Sequence, residues 1–345
     1  VSEIVQQSLT YPHSALMGMI FDGRGFSQPP TRRFDCKLTK VLVPSNYNPD
    51  TKEYTGNWDG QFASAKKWTD NPAWILYDLI TNDRFGLGEY ITDSDINKFE
   101  LYKIAKYCDQ LVPTSKLKKF ATSTDPDRFR KERRYSCNVL IQNRMEAYKA
   151  IQEIASVFQG MVYFDANKIV ITQDNTTEPC LKFTNANVKQ GDFQYSGTSK
   201  QTRFTAIKVA YKDKEENYLP KYAYVEDAEG IIRHGIIEKE LAAVGCTSKD
   251  QALRLGRWVL LTSNKEEETV SFVTDKIAEH LRPGYVFEVS DSIRNGYKGG
   301  GRVKKVVNNK NVASDNYILL DDTVDTNDYN FQSISFNIPG EDLEE

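Results

Sequence analysis

The sequence predicts an α+β protein, rich in β, in which a mixed helical part interrupts β-rich parts. Three observations predict it. Between residues 71 and 159 three segments carry apolar residues at helical spacing, each closed by glycine or proline. Beyond residue 193 short apolar runs recur between turn signals, with one further helix, a pattern that suits a small barrel or sandwich. Before residue 44 the runs are again short or alternating. The expected organisation is a β segment at 1–44, an α+β insertion with three helices and a hairpin at 45–192, and a barrel-like β region with one helix at 193–345.

In chain order, Leu16–Phe21 and Phe34–Leu38 read as strands around Asp22-Gly23-Arg24-Gly25 and Pro29-Pro30. If they are, their backbone edges need a covering strand. Asn46–Asp70 is rich in Asn, Asp, Gly and Thr and reads as a structured loop anchored by Trp58 and Trp68. A helix opens at Asn71-Pro72, where asparagine caps free N–H groups and proline needs none. Trp74, Leu76, Tyr77 and Ile80 form its buried face, and Gly86 and Gly88 are expected to turn the chain with positive φ.

A second helix starts near Asp93 or Ser94, with the stripe Leu101, Ile104, Ala105, Cys108 and Leu111, and stops at Pro113. Lys116–Arg134 holds eight Lys or Arg against three Asp or Glu and reads as a polar loop. Tyr135–Ile141 reads as a strand, and Arg144–Gln159 as a helix burying Ala147, Tyr148, Ile151, Ile154, Ala155 and Phe158, ended by Gly160. Met161–Phe164 and Lys168–Thr172 flank Asp165-Ala166-Asn167 as a hairpin. Thr202–Tyr211 and Tyr222–Val225 are strands around a charged loop. Ser248-Lys249-Asp250-Gln251 is a capping box opening a helix that runs to about Thr262 and buries Ala252, Leu255 and Val259. Thr269–Val273, Tyr285–Val289, Arg302–Val307 and Tyr317–Leu320 complete the strands, with turns at Pro283-Gly284, Asn295-Gly296 and Asn308-Asn309. The acidic end Glu341–Glu345 is expected to fray.

The chemistry-bearing residues are sparse. Among 345 residues with net charge −3, the three histidines His13, His234 and His280 stand apart, without metal-ligand or general-base spacing. Five cysteines (Cys36, Cys108, Cys137, Cys180, Cys246) lack any Cys-x-x-Cys pair, which argues for reduced thiols made in a cytoplasm. Gly299-Gly300-Gly301 is followed by Arg-Val and not by the Lys and Ser or Thr of a phosphate loop. Asp93-Ser94-Asp95 and Asp125-Pro126-Asp127 do not continue as calcium loops. Asn175-Thr176-Thr177 matches a glycosylation acceptor without a secretory context, and no Gly-x-Ser-x-Gly elbow occurs. No apolar run reaches the roughly 18–20 residues of a membrane span. The expectation is no enzyme, no cofactor and no metal. The start Val1-Ser2-Glu3-Ile4-Val5 lacks an initiator Met and a secretory pattern, and reads as the start of an excised fragment or processed product.

The wording of several segments carries more. Asn71–Gly88, Val43–Pro49, Tyr54–Gly60, Tyr107–Gln110, Gly245–Ser248 and Gly256–Trp258 resemble, in order, the central tail-tip protein of lambda-like phages, the host-specificity or tip attachment protein J family. The resemblance runs from about Tyr11 to about Val307 and leaves out the family's distal receptor-binding region. It implies tail-hub-like tube domains of barrel or sandwich type, a homotrimeric ring capping the tail tube, contacts with other tip proteins and a central fibre, passage of phage DNA, and a place at the virion tail tip after synthesis in the bacterial host cytoplasm. The expected interface residues are the anchors Tyr47, Trp58, Trp68 and Trp74, which a subunit or domain contact favours. Arg130, Lys131, Arg133 and Arg134 are expected to meet DNA or an acidic partner. Two alternatives stand beside the hub: a tail-associated cell-wall hydrolase and a direct receptor-binding module.

Overall fold

The computed structural model describes residues 14, 16–22, 24–25, 28, 31–32, 34–118, 128–142, 145–166, 168–197, 203–266, 268–295, 303–307 and 317–320. His13, Pro29-Pro30, Asp125-Pro126-Asp127, Gly296, the Gly299–Gly301 cluster, Asn308-Asn309 and Glu341–Glu345 lie outside them. The chain divides into two compact units, Val1–Thr69 and Asp70–Glu345.

In the first unit the only regular strands among the described residues are β1 (Tyr47–Asn48) and β2 (Glu53–Tyr54), which form an antiparallel pair. Bridges Val41↔Lys67 and Pro44↔Phe62 close the rest of a small core. Val41, Val43, Tyr47 and Trp58 are buried in it. The expected turn at Asp22 is present, its carbonyl accepting from Gly25 N at 3.0 Å. The strands expected at Leu16–Phe21 and Phe34–Leu38 are absent from the described residues there, and their side chains are exposed. An apolar run becomes a strand only where a neighbour supplies hydrogen-bond partners, and among the described residues no strand pairs with these.

The second unit opens with α1 (Pro72–Thr81), capped as expected: Asn71 Oδ1 accepts from Ala73 N at 3.0 Å. The same side chain donates to Asp109 Oδ2 at 2.7 Å, which ties it to the end of α2 (Lys98–Cys108). Tyr77 donates to Asp93 Oδ1 at 2.6 Å. Gly86 and Gly88 do not have positive φ. They are required for space, since a Cβ on Gly86 would sit 2.0 Å from Leu79 O and one on Gly88 2.6 Å from Thr81 O. Helix α2 stops at Cys108, capped by Asp109, and not at Pro113. Leu111 and Pro113 belong instead to β3 (Leu111–Leu117), which pairs antiparallel with β4 (Phe129–Arg133). Much of the expected basic loop is therefore the two arms of a hairpin.

Residues 135–141 are not a strand. Helix α3 (Ala147–Ser156) packs on α1 and on β5 (Gly160–Asp165), burying Ala150, Ile151, Ile154 and Ala155, while Tyr148 is exposed. Its positive-φ exit is Gln159, at 60°. Gly160 is needed because a Cβ there would lie 2.1 Å from the Phe158 ring. Strand β5 pairs with β6 (Lys168–Gln173), as expected.

Beyond the hairpin come β7 (Leu181–Thr184), β8 (Gln194–Gly197), β9 (Ala206–Asp213), β10 (Leu219–Glu226), α4 (Ala228–His234), β11 (Glu238–Ala242) and α5 (Lys249–Lys265). They are followed by β12 (Glu268–Ser271), β13 (Phe287–Ser290), α6 (Ser292–Asn295), β14 (Val303–Val307) and β15 (Tyr317–Leu320). The central strand β9 is flanked by antiparallel β10 and parallel β11. Its inward residues Ile207, Val209 and Tyr211 form a core with Ala223, Cys246, Ala252 and Leu260 under α5. Gly256 lets α5 approach, because a Cβ there would touch Val225 and Val209 methyls at 3.0 and 3.1 Å. A second core gathers Phe183, Phe193, Phe272 and Phe287 where β7 pairs parallel with β13 and β8 antiparallel with β12. The β7–β13 pair joins residues from either side of position 192. Strands β14 and β15 form a separate antiparallel pair. The fold is mixed α and β, with six α-helices and no closed barrel among the described residues.

Candidate interaction sites

The aromatic positions expected at an interface are covered by their own chain to different degrees. Tyr47 is buried, stacked 4.6 Å from Tyr54 and hydrogen-bonded to Thr69 Oγ1 at 3.2 Å. Trp58 donates to Gln61 O at 2.5 Å and meets Phe62 edge-on at 5.3 Å. Trp68 is half-buried beneath Lys37, whose Nζ lies 4.9 Å from its ring. Trp74 is fully buried, 6.3 Å from Tyr102.

The four basic residues separate by exposure and partners. Arg130 and Lys131 are exposed on β4. Arg133 turns back to donate to Asp109 O at 2.6 Å, and Arg134 lies 4.3 Å over the Tyr107 ring while donating to Gln110 Oε1 at 3.1 Å. The first pair presents charge outward, and the second closes the C-terminal end of α2, where cations are favoured.

Between them, Glu132 makes a junction that periodicity alone does not reveal. It accepts from Arg254 Nη1 at 2.8 Å and from Ser248 Oγ at 2.7 Å, and Arg254 Nη2 reaches Arg134 O at 2.8 Å. Ser248 caps α5 through Gln251 N, at 3.4 Å. The Gln251 side chain does not complete the expected box. It exchanges bonds with Ser136 instead, accepting from Ser136 N at 3.2 Å and donating to Ser136 O at 3.0 Å. Asp250 accepts from Ser115 N at 2.9 Å, and Lys116 pairs with Glu215. The β3–β4 hairpin is thus clamped onto the start of α5.

Beside this junction a cleft of about 580 Å³ opens between the β5–β6 hairpin and α5. Trp258, Leu255, Val259, Leu241 and Val244 line it, with Asp174 and Glu266 among its polar groups. Trp258 Nε1 donates to Asp174 Oδ2 at 2.7 Å. The buried thiols nearby are inert by position. Burial pushes Cys137 up to about 12 and Cys246 up to about 11, and raises Cys108 as well. Among the described residues no group of three or more His, Cys, Asp or Glu is placed to hold a metal ion, and no helix is long and apolar enough to cross a membrane.

Residues 146–306, which span α3 to β14 and most of the cleft, match the family described as putative phage tail protein. That match places this stretch of the chain alongside phage tail proteins. More particularly, the chain is 38% identical over 294 residues to tip attachment protein J of Escherichia phage SECphi27, and 35% identical over 306 residues to that of Escherichia phage SECphi4. These matches cover 85% and 88% of this chain but 23% and 26% of the two relatives, so the chain spans a minor part of their length. The chain is a homologue of the tip attachment protein J of tailed phages. The 43 kDa tail protein of prophage MuSo2 from Shewanella oneidensis aligns with 48% of this chain and 47% of its own at 17% identity and a TM-score of 0.29, a likeness too slight to carry a fold assignment.

Proposed function

We propose that this chain is a structural component of a phage or prophage tail tip: a central hub ring of three copies that caps the tail tube, supports the central fibre and takes part in host attachment and DNA ejection. The observation that carries the reading is the ordered similarity to tip attachment protein J across 85% of the chain. In this reading 1–44 and 193–345 supply β-rich tube parts of barrel or sandwich type, around an α+β insertion at 45–192. The aromatic segment from Tyr47 to Trp74 stiffens the contact between copies or domains. Arg130 and Lys131, the outward pair on β4, meet an acidic tip protein or passing DNA, while Arg133 and Arg134 hold the hairpin in place. The chain works without catalysis and without a cofactor.

Immunogold electron microscopy on intact particles, with antibody against this chain, tests the reading. Label confined to the tail tip is expected. Label on capsid or tail shaft, or none on particles with accessible epitopes, overturns it.

A further inference from the structure

The cleft beside α5 takes one wall from a single stripe of that helix. Leu255, Trp258, Val259, Thr262 and Glu266 recur at helical spacing and all line it. The first part of the stripe is apolar, and Leu241, Val244 and Val286 add apolar lining from elsewhere in the unit. The charge of the cleft has one sign. Among the described residues that line it, Asp174 and Glu266 are carboxylates and none is Lys, Arg or His.

Both carboxylates are held in place and neither is neutralised. Asp174 N donates to Gln159 O at 3.0 Å, and Asp174 Oδ2 accepts the Trp258 indole N–H at 2.7 Å, so carboxylate and ring are fixed against each other. Its other oxygen, Oδ1, accepts no hydrogen bond among the described residues. Glu266 is the C-cap of α5, its N–H donating to Thr262 O at 3.0 Å. The last carbonyls of a helix carry a negative partial charge there. Among the described residues neither Asp174 nor Glu266 forms an ion pair. Lys265, next to Glu266, is exposed and is not part of the lining. A cation in this part of the cleft meets two carboxylates, a helix C-terminus and an indole ring, each of which favours positive charge.

We propose that this cleft receives a segment of a neighbouring tail-tip protein that presents one arginine between large apolar side chains. The apolar side chains cover Leu241, Val244, Leu255 and Val259. The guanidinium lies against Trp258 and donates to Asp174 Oδ1, with Glu266 adding attraction from the end of α5. Arginine suits this setting better than lysine, because its planar group stacks on aromatic rings and forks toward carboxylates. The cleft volume of about 580 Å³ lies within the roughly 300–1,000 Å³ of ordinary ligand sites, room for a few side chains and not for a domain surface. The proposal rests on the tail-tip reading for where the partner is found. The contact itself does not need the ring.

Titration of the chain with the peptide acetyl-Gly-Leu-Arg-Leu-Gly-amide, followed by the NMR signals of the four indole N–H groups, tests it. The signal missing from Trp258→Phe identifies Trp258. That signal is expected to shift and saturate, while those of Trp58, Trp68 and Trp74 stay in place. The same peptide with norleucine for arginine should bind more weakly. Asp174→Asn keeps an oxygen for the indole to donate to, and Glu266→Gln alters an exposed residue. Together they should weaken the arginine peptide by about fivefold or more, the size expected of two exposed charge contacts, and leave the norleucine peptide within about twofold. Equal binding of the two peptides to the unaltered chain, or equal losses for both in the double variant, overturns the charge selection and with it the proposal. Acetylarginine amide binding as tightly as the peptide makes the occupant a small cation and overturns the segment. A Trp258 signal that moves on dilution of the chain alone makes the occupant a second copy. No shift at Trp258 with millimolar peptide overturns the site and leaves the tail-tip reading to the immunogold experiment.

Discussion

Residues 206–213 and residues 34–40 both alternate apolar with polar side chains, yet only the first is a strand. In β9 every second side chain lies under α5, and both edges are paired, to β10 on one side and β11 on the other. In 34–40 the same alternation pairs with no strand among the described residues, and the apolar side chains are exposed. Alternation states which face a strand would bury. It does not state that a partner exists, and backbone groups without partners return to water.

The largest effect that would sharpen this comparison is expected at Ile207, which is fully buried in the β9 core. Ile207→Ala should cost roughly 2–5 kcal/mol, read as a lower urea midpoint with unchanged slope. A loss below 1 kcal/mol would mean that β9 is no better covered than 34–40. Next is Arg254→Ala, which removes the cation from Glu132 and leaves the Arg134 carbonyl without it. Its expected cost is about 1.5–3 kcal/mol, the range for hydrogen bonds to charged groups. An unchanged melting temperature would show that the β3–β4 hairpin is held by its own ladder alone.

The third prediction concerns pH. Cys137 and Cys246 are raised by burial to about 12 and about 11 from an ordinary value of 9.0. The unfolded chain ionises them first, so their contribution is complete below about pH 9 and is lost as pH rises toward 11 to 12. Stability should therefore fall across that window and iodoacetamide at pH 8 should label the exposed Cys36 well before either buried thiol. Equal labelling would place Cys137 in solvent. The smallest effect is expected at Ile20, which is fully exposed: Ile20→Ala should change stability by no more than about 0.5 kcal/mol. A larger loss would reveal cover over that segment.

Much of the fold was legible where a local rule was sufficient. The Asn71-Pro72 start, the stripe Leu101–Cys108, the β5–β6 hairpin and the Ser248 cap each rest on residues within a few positions of one another. The misses are tertiary. Pro113 reads as a helix stop, but it sits in β3 because Asp109, bonded to Asn71, has already ended α2. Gly160 reads as a left-handed exit, but Gln159 takes that conformation because the Phe158 ring needs the space beside residue 160. The strand β11 and the helix α4 were missed because Glu238-Lys239-Glu240 and Arg233-His234 look like a solvated charged stretch. Of the candidate interface residues, the basic group was legible as charge. Only the structure separates outward Arg130 and Lys131 from inward Arg133 and Arg134, and nothing within Glu132's own neighbourhood announces a partner 122 residues away.

The parallel pairing of β7 with β13 has a consequence in time. Lys182 and Glu288, joined across that pair at 3.3 Å, are 106 residues apart. At the ordinary pace of about 5–20 residues per second, β7 leaves the ribosome on the order of 5–20 s before its partner is made. Phe183 therefore spends seconds uncovered, far longer than the microseconds in which the β5–β6 hairpin closes. During synthesis this second core is the exposure that a chaperone would meet, and a chain interrupted anywhere before Phe287 would be left with it open.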